Sequence, residues 1–221
     1  MLFTGGRILI NDVYGVSIDG AIYQKDKKSV KYDEDYVKRT GSNSNNINDE
    51  KSYRMSYLRL GNVIGGIGRV PSSILDVGYG LGHFLEVCTT IIPKCYGNDI
   101  GTDVIPEGCT RVDSIFGAHY DVITFFDSIE HFEDIDFVKE LDCNYVCISV
   151  PNCHYFDDEW FANWKHRKYG EHLWHFNENS LTKFMNRMGY SLVSYSNVED
   201  VIRQNFKEET NILTGIFKKE K

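Results

Sequence analysis

Ile74-Leu75-Asp76-Val77-Gly78-Tyr79-Gly80-Leu81-Gly82-His83-Phe84 is an apolar run that breaks into glycine at alternate positions. It reads as a buried strand that turns sharply into a helix. Glycines leave no Cβ between the main-chain amides and a ligand, and the first turn of the following helix offers further N–H donors. Phe84, Val87, Cys88 and Ile91 then recur at helical spacing, so the loop is expected to open an amphipathic helix. A nucleotide-like cofactor is the expected ligand. A triphosphate-cradling loop is excluded, because His83-Phe84 stand where a lysine and a hydroxyl residue would be needed. The dinucleotide fingerprint is excluded as well, since its third glycine falls at His83.

Working outward, a second strand is expected through Cys95-Tyr96-Gly97-Asn98-Asp99-Ile100, which sets a carboxylate 23 residues after Asp76. Such a carboxylate can accept hydrogen bonds from both hydroxyls of a ribose. A third apolar run, Tyr120 to Phe126, leads into Asp127-Ser128-Ile129-Glu130-His131-Phe132, and a fourth ends in Val150-Pro151-Asn152. With these segments in this order, Gly78-x-Gly80-x-Gly82 after an acidic strand end resembles motif I of the class I S-adenosylmethionine-dependent methyltransferases. The resemblance runs from about Ser73 to Tyr195 and is nearest to the type 11 and type 23 groups, which include quinone O-methyltransferases and sugar C-methyltransferases.

The resemblance implies an α/β fold: a Rossmann-like, seven-stranded, mostly parallel sheet with helices on both faces and S-adenosylmethionine across the carboxyl ends of the strands. It also implies cofactor contacts from Asp76, Gly78, Tyr79, Gly80 and Gly82, from Asp99 and Ile100, from Asp113 and Ser114 at the adenine, and from Phe126, Asp127 and Ser128. Pro106 and Gly108 interrupt the stretch where the group carries a longer second helix, so that helix is expected to be short or missing.

Methyl transfer from a sulfonium needs an aligned acceptor and, for a neutral one, somewhere for its proton to go. His131 is the candidate general base, because an imidazole titrates near neutrality. The segment 153–176 carries Tyr155, Phe156, Trp160, Phe161, Trp164, Tyr169 and Trp174 with His154, His166, His172 and His175. It is too aromatic for a plain solvent loop and is expected to form a lid over a small-molecule acceptor, with His154, Trp160, His172 and His175 as substrate contacts. His172-x-x-His175 invites a zinc reading, but no third ligand is apparent, so no metal is expected.

The chain is 221 residues long, enough for one filled α/β domain with an appendage. Residues 1–48 are expected to hold a β-hairpin, from Arg7 to Lys25 with turns at Asn11-Asp12 and Asp19-Gly20, then a Tyr-rich entry at Lys31–Tyr36 and a mobile loop at Gly41–Asn48. Residues 49–221 are expected to form the methyltransferase domain, entered by a helix bearing Tyr53, Tyr57, Leu60 and Ile64. Further helices are expected at Ile135/Val138/Leu141 and at Leu181/Phe184/Met185/Met188, the latter capped by Asn177 and ended by Gly189. Ser191–Ser196 and Asn211–Lys218 read as a closing antiparallel pair.

Twenty-four Lys and Arg against 32 Asp and Glu give a net charge of −8, which argues against duplex nucleic acid as a partner. The six cysteines show no metal-type spacing and read as free thiols. No apolar run approaches the roughly 18 residues of a membrane span, and no signal-like segment opens the chain, so the cytoplasm is the expected compartment. The residues leave open a protein or nucleotide acceptor, although Val150-Pro151-Asn152-Cys153 lacks an amino-group methylation motif. They also leave open a protein that binds the cofactor without transfer, suggested by Tyr79 at a position usually small. Oligomeric state is not readable from the sequence.

Overall fold

The computed structural model describes residues 12–27, 50–203 and 209–220. The expected segments Arg7–Ile10, Lys31–Tyr36 and Gly41–Asn48 lie outside them. β1 (Tyr14–Val16) and β2 (Ile22–Gln24) form an antiparallel hairpin with Val16 opposite Ile22. The Asp19-Gly20 turn stands where expected, with Gly20 at φ 88°, but the first strand stops at Val16. Ile18 lies in the turn and is 90% exposed.

Helix α1 (Glu50–Ile67) buries Ser56, Leu60 and Val63, while Tyr57 faces solvent. It leads to β3 (Ile74–Val77), the glycine loop and α2 (His83–Thr89). Phe84, Val87 and Cys88 are buried as their spacing requires. Ile91 falls beyond the helix end and is 48% exposed, and Ile92 fills the core in its place. β4 (Cys95–Asn98), β5 (Cys109–Arg111), β6 (Tyr120–Phe126) and β7 (Cys143–Pro151) follow. Every residue of β6 is buried, as a parallel strand covered on both faces must be.

Between β6 and β7 the expected helix at Ile135/Val138/Leu141 is a 3-10 turn over Asp136–Glu140. A spacing of three matches a 3-10 period better than an α period, and all three side chains are buried. After β7 come α3 (Asp158–Asn163), whose first turn is capped by Asp157 accepting from Trp160 N at 2.7 Å, and β8 (Trp174–His175). α4 (Glu178–Arg187) opens with an Asn177/Ser180 capping box, and Gly189 follows its end at φ 86°. β9 (Tyr190–Ser196), the short helix α5 (Val198–Ile202) and β10 (Ile212–Lys219) complete the described chain.

The main sheet has seven strands in the order β5-β4-β3-β6-β7-β10-β9. β5, β4, β3, β6 and β7 are mutually parallel; β10 runs antiparallel to β7 and β9 antiparallel to β10. The Rossmann-like α/β architecture is therefore as the sequence implies. One apolar core joins the sheet to α4 through Leu181, Phe184 and Met185; the other joins it to α1 and α2 through Leu60, Val63, Phe84, Leu85 and Val87. At its entry edge Asp121 accepts from both Arg69 guanidinium nitrogens at 2.6 and 2.7 Å, from Ser72 N and from Asn144. That bidentate clamp ties the end of α1 to the starts of β3, β6 and β7.

A second, three-stranded sheet has the order β1-β2-β8, with Ile22 opposite His175. The N-terminal hairpin is thus joined to the segment 153–176. Gln24 accepts from Gly170 N at 2.8 Å, and Arg187 of α4 grips Asp19 in the hairpin turn at 2.7 Å.

Candidate active site

Strand order reverses between β3 and β6, and the crevice above their carboxyl ends is where open α/β sheets bind ligands. The loop after β3 lies at its mouth. Gly78, Gly80 and Gly82 all have positive φ, at 81°, 55° and 80°. At Gly78 the reason is also steric: a Cβ there would come within 2.8 Å of the Ser128 side chain.

Asp99, just past β4, holds this loop in shape. One carboxylate oxygen accepts from Gly80 N at 2.8 Å and the other from Gly101 N at 2.7 Å. Each oxygen has lone-pair capacity beyond one such bond, so the group can still accept from ligand hydroxyls. Ser128 Oγ is buried beside Gly78 with no protein hydrogen-bond partner. A buried hydroxyl of that kind calls for a polar ligand atom. The glycine cradle, Asp99 and Ser128 together fit a nucleoside-type cofactor.

Tyr79 is buried. Its ring packs over Gly97, where a Cβ would meet it at 2.6 Å, and its hydroxyl donates to Thr102 O. Asp76 also lies beneath the loop, buried and accepting from Thr124 Oγ1 at 2.7 Å. Burial pushes its carboxyl up to about 6. Residues 100–108 contain no helix, as Pro106 and Gly108 lead one to expect, and Ile100 is 81% exposed. Asp113 and Ser114 lie exposed past β5, Asp113 paired with Arg111 and Ser114 accepting from Phe116 N.

Phe126 and Asp127 are set by contacts that local sequence does not reveal. The Arg59 guanidinium sits 4.4 Å from the Phe126 ring centre, bonds Asp127 at 3.1 Å and bonds Glu199 at 2.7 Å. Arg203 bonds the same two carboxylates at 2.8 and 2.9 Å. Asp127, itself at φ 52°, is thus neutralised from two sides.

Beyond Ser128 the chain makes a 3-10 turn, Ile129–His131. Two bonds bring the lid against it: Leu173 N donates to Glu130 O at 2.8 Å, and His131 Nδ1 donates to Glu171 O at 2.8 Å. They set His172 beside His131, with ring centres 4.8 Å apart. Glu130 is 1% exposed, and among the described residues neither of its carboxylate oxygens has a hydrogen-bond partner. Burial raises its pKa well above the usual range, with Asp127 adding to the effect. Burial likewise holds the His131 and His172 imidazoles neutral.

The other lid residues divide. His154 bonds Thr210 O at 2.7 Å and stacks on Phe156, and Trp160 stacks on Trp164 at 5.4 Å. These rings form a partly exposed aromatic layer. His175, expected to meet substrate, is 2% exposed among Tyr14, Phe161 and Trp164. Its place in β8 turns it inward against those rings. All six cysteines are free thiols. No described helix is long and apolar enough to cross a membrane.

A family model described as a methyltransferase domain matches residues 50–195. No curated protein matches the sequence. Among solved structures the chain is similar to 1,6-didemethyltoxoflavin-N1-methyltransferase of Burkholderia thailandensis, at TM-score 0.59 and 13% identity, covering 85% of this chain and 87% of that one. It is similar to an S-adenosylmethionine-dependent methyltransferase of Clostridium acetobutylicum at TM-score 0.57 and 9% identity, covering 85% and 98%. Magnesium protoporphyrin IX methyltransferase of Synechocystis gives TM-score 0.56 and 15% identity, covering 85% and 98%. At these identities the likeness is one of fold.

Proposed function

The chain belongs to the methyltransferase-domain family, and from that premise we propose that it moves the methyl group of S-adenosylmethionine to an oxygen of a small-molecule acceptor. The observation that carries the reading is Asp99, one of whose oxygens ties down the glycine loop at Gly80 N while the other accepts from Gly101 N beyond its own strand. In that position its remaining lone pairs meet the cofactor ribose, the loop amides and Ser128 meet the methionine end, and Ile100 with Asp113 and Ser114 border the adenine. The cofactor supplies the electrophilic methyl, so the protein's task is alignment and removal of the acceptor's proton.

The acceptor lies under the aromatic layer of His154, Phe156, Trp160 and Trp164. Such a surface grips a flat or ring-shaped molecule and keeps water from the sulfonium. Two of the similar structures are named for small-molecule acceptors, a toxoflavin precursor and magnesium protoporphyrin IX. His131 serves this side of the crevice, three residues past Ser128 and held by the lid.

The test is incubation with methyl-labelled cofactor and fractionated metabolites. Label in a low-mass, base-stable ether or hydrolysable ester supports the reading. Label confined to protein or nucleic acid would redirect it to a macromolecular acceptor. No label in any fraction, with S-adenosylhomocysteine still bound, would make the chain a binding protein.

A further inference from the structure

We propose that Glu130, His131 and His172 bind one divalent transition-metal ion at the acceptor side of the crevice. One ligand atom from each residue lies within 4.8 Å of the others. Ligands about 2.1 Å from a tetrahedral cation stand about 3.4 Å apart, so shifts of under about 1 Å in each side chain close the site. One carboxylate and two imidazoles suit first-row divalent ions such as Zn²⁺, Mn²⁺ or Fe²⁺, and three protein ligands leave coordination positions open.

One observation points to a ligand here, and two bonds within the cluster set the ligand atoms in place. Both Glu130 oxygens are buried without a hydrogen-bond partner among the described residues, and so is His172 Nδ1. Buried carboxylates rarely go without partners, and among the described residues no arginine is bonded to this one, whereas Asp127 three residues earlier has two. The Glu171 carbonyl accepts from His131 Nδ1, which fixes the tautomer with the lone pair on Nε2, as in many metal-bound histidines. The lid itself carries His172 to the turn through the Leu173-to-Glu130 backbone bond, so the third ligand arrives only when the lid is in place.

The site stands on this geometry; its use in catalysis rests on the methyl-transfer reading above. An acceptor hydroxyl bound at an open position loses its proton to solvent more readily. The oxygen then forms a bond to the methyl carbon as the carbon–sulfur bond breaks, and that electron pair stays on sulfur. On this account the His131 lone pair goes to the cation and not to the acceptor's proton.

The experiment uses the full chain stripped with a chelator and titrated with Mn²⁺ alone. One equivalent should bind, and pulsed electron paramagnetic resonance should resolve nitrogen coupling from two imidazoles. Glu130→Gln and His172→Ala should each weaken Mn²⁺ binding by at least about a hundredfold while S-adenosylhomocysteine still binds as in the parent. Binding without nitrogen coupling, or unchanged in a variant that still binds S-adenosylhomocysteine, would overturn the site. So would no saturable binding to the parent, a result that leaves methyl transfer standing. Metal binding in a chain that transfers no label from the cofactor would keep the site and remove the function. If both variants fail to fold, the parent's nitrogen coupling decides alone.

Discussion

Replacing Asp99 with alanine removes the acceptor of two loop amides at once, those of Gly80 and Gly101 at 2.8 and 2.7 Å. Hydrogen bonds to a charged group contribute about 1.5–3 kcal/mol each in net terms. Asp99 is half-buried, and water replaces part of what is lost when the ligand is absent. In the complex the ribose hydroxyls lose their acceptor and the loop must be reordered on binding. The net penalty should be about 1.5–3 kcal/mol, a roughly ten- to hundredfold weaker complex. Asp99→Asn keeps one acceptor oxygen, so it should fall between parent and alanine. Both variants should keep the parent's circular dichroism, because the Asp99 carboxylate contributes no packing to either apolar core. Calorimetric titration with S-adenosylhomocysteine measures the loss directly. Binding by Asp99→Ala within twofold of the parent would refute the assignment of this carboxylate to the cofactor.

Gly78→Ala imposes a side chain at φ 81° and presses it against Ser128, so about 1–2 kcal/mol of backbone strain should appear as a lower melting temperature and weaker cofactor binding. His131→Ala should lower turnover by roughly 10²–10⁴ while S-adenosylhomocysteine affinity, read by the same titration, stays nearly unchanged. Asp121→Ala should cost about 3 kcal/mol in urea unfolding at neutral pH, since it strands the Arg69, Ser72 and Asn144 donors. Arg69 holds the Asp121 carboxyl well below the usual carboxylate range. Its contribution is therefore complete above the unfolded value near about 3.9, and the gap between parent and variant should narrow as pH falls below that.

The central half of the fold was legible because its signals are local. β3, the alternate glycines and the α2 period lie within a few residues of one another, and the all-apolar β6 announces a strand buried on both faces. The misread helix at Ile135, Val138 and Leu141 carried its own correction in a period of three. α5 went unseen for a different reason: its buried positions include Glu199 and Asp200, which a hydrophobic pattern cannot register. They are buried because Arg59 and Arg203 meet Glu199, and the amides of Asn211 and Ile212 meet Asp200.

The candidate site was legible on its cofactor side and obscure on the other. Asp99 was read from the family resemblance together with its distance from the glycines, and the structure sets its carboxylate against Gly80 N. The pairing of His172 with Glu130 and His131 depends on lid bonds spanning about 40 residues. Sequence proximity favoured His172-x-x-His175 instead, yet those two rings stand 6.4 Å apart, and His175 belongs to the small sheet.

β2 is the middle strand of that small sheet, between β1 and the lid strand β8, and its partner His175 lies 153 positions along the chain from Ile22. The hairpin pairs within itself, whereas among the described residues β8 is hydrogen-bonded in this sheet to β2 alone, so the segment 153–176 is anchored through the hairpin. Its loop-closure entropy is settled only after the central sheet has formed, which makes it a late-folding element. Substitutions in β2 should therefore shift the aromatic segment through its only strand partner among the described residues while leaving Asp99 and the glycine loop in place.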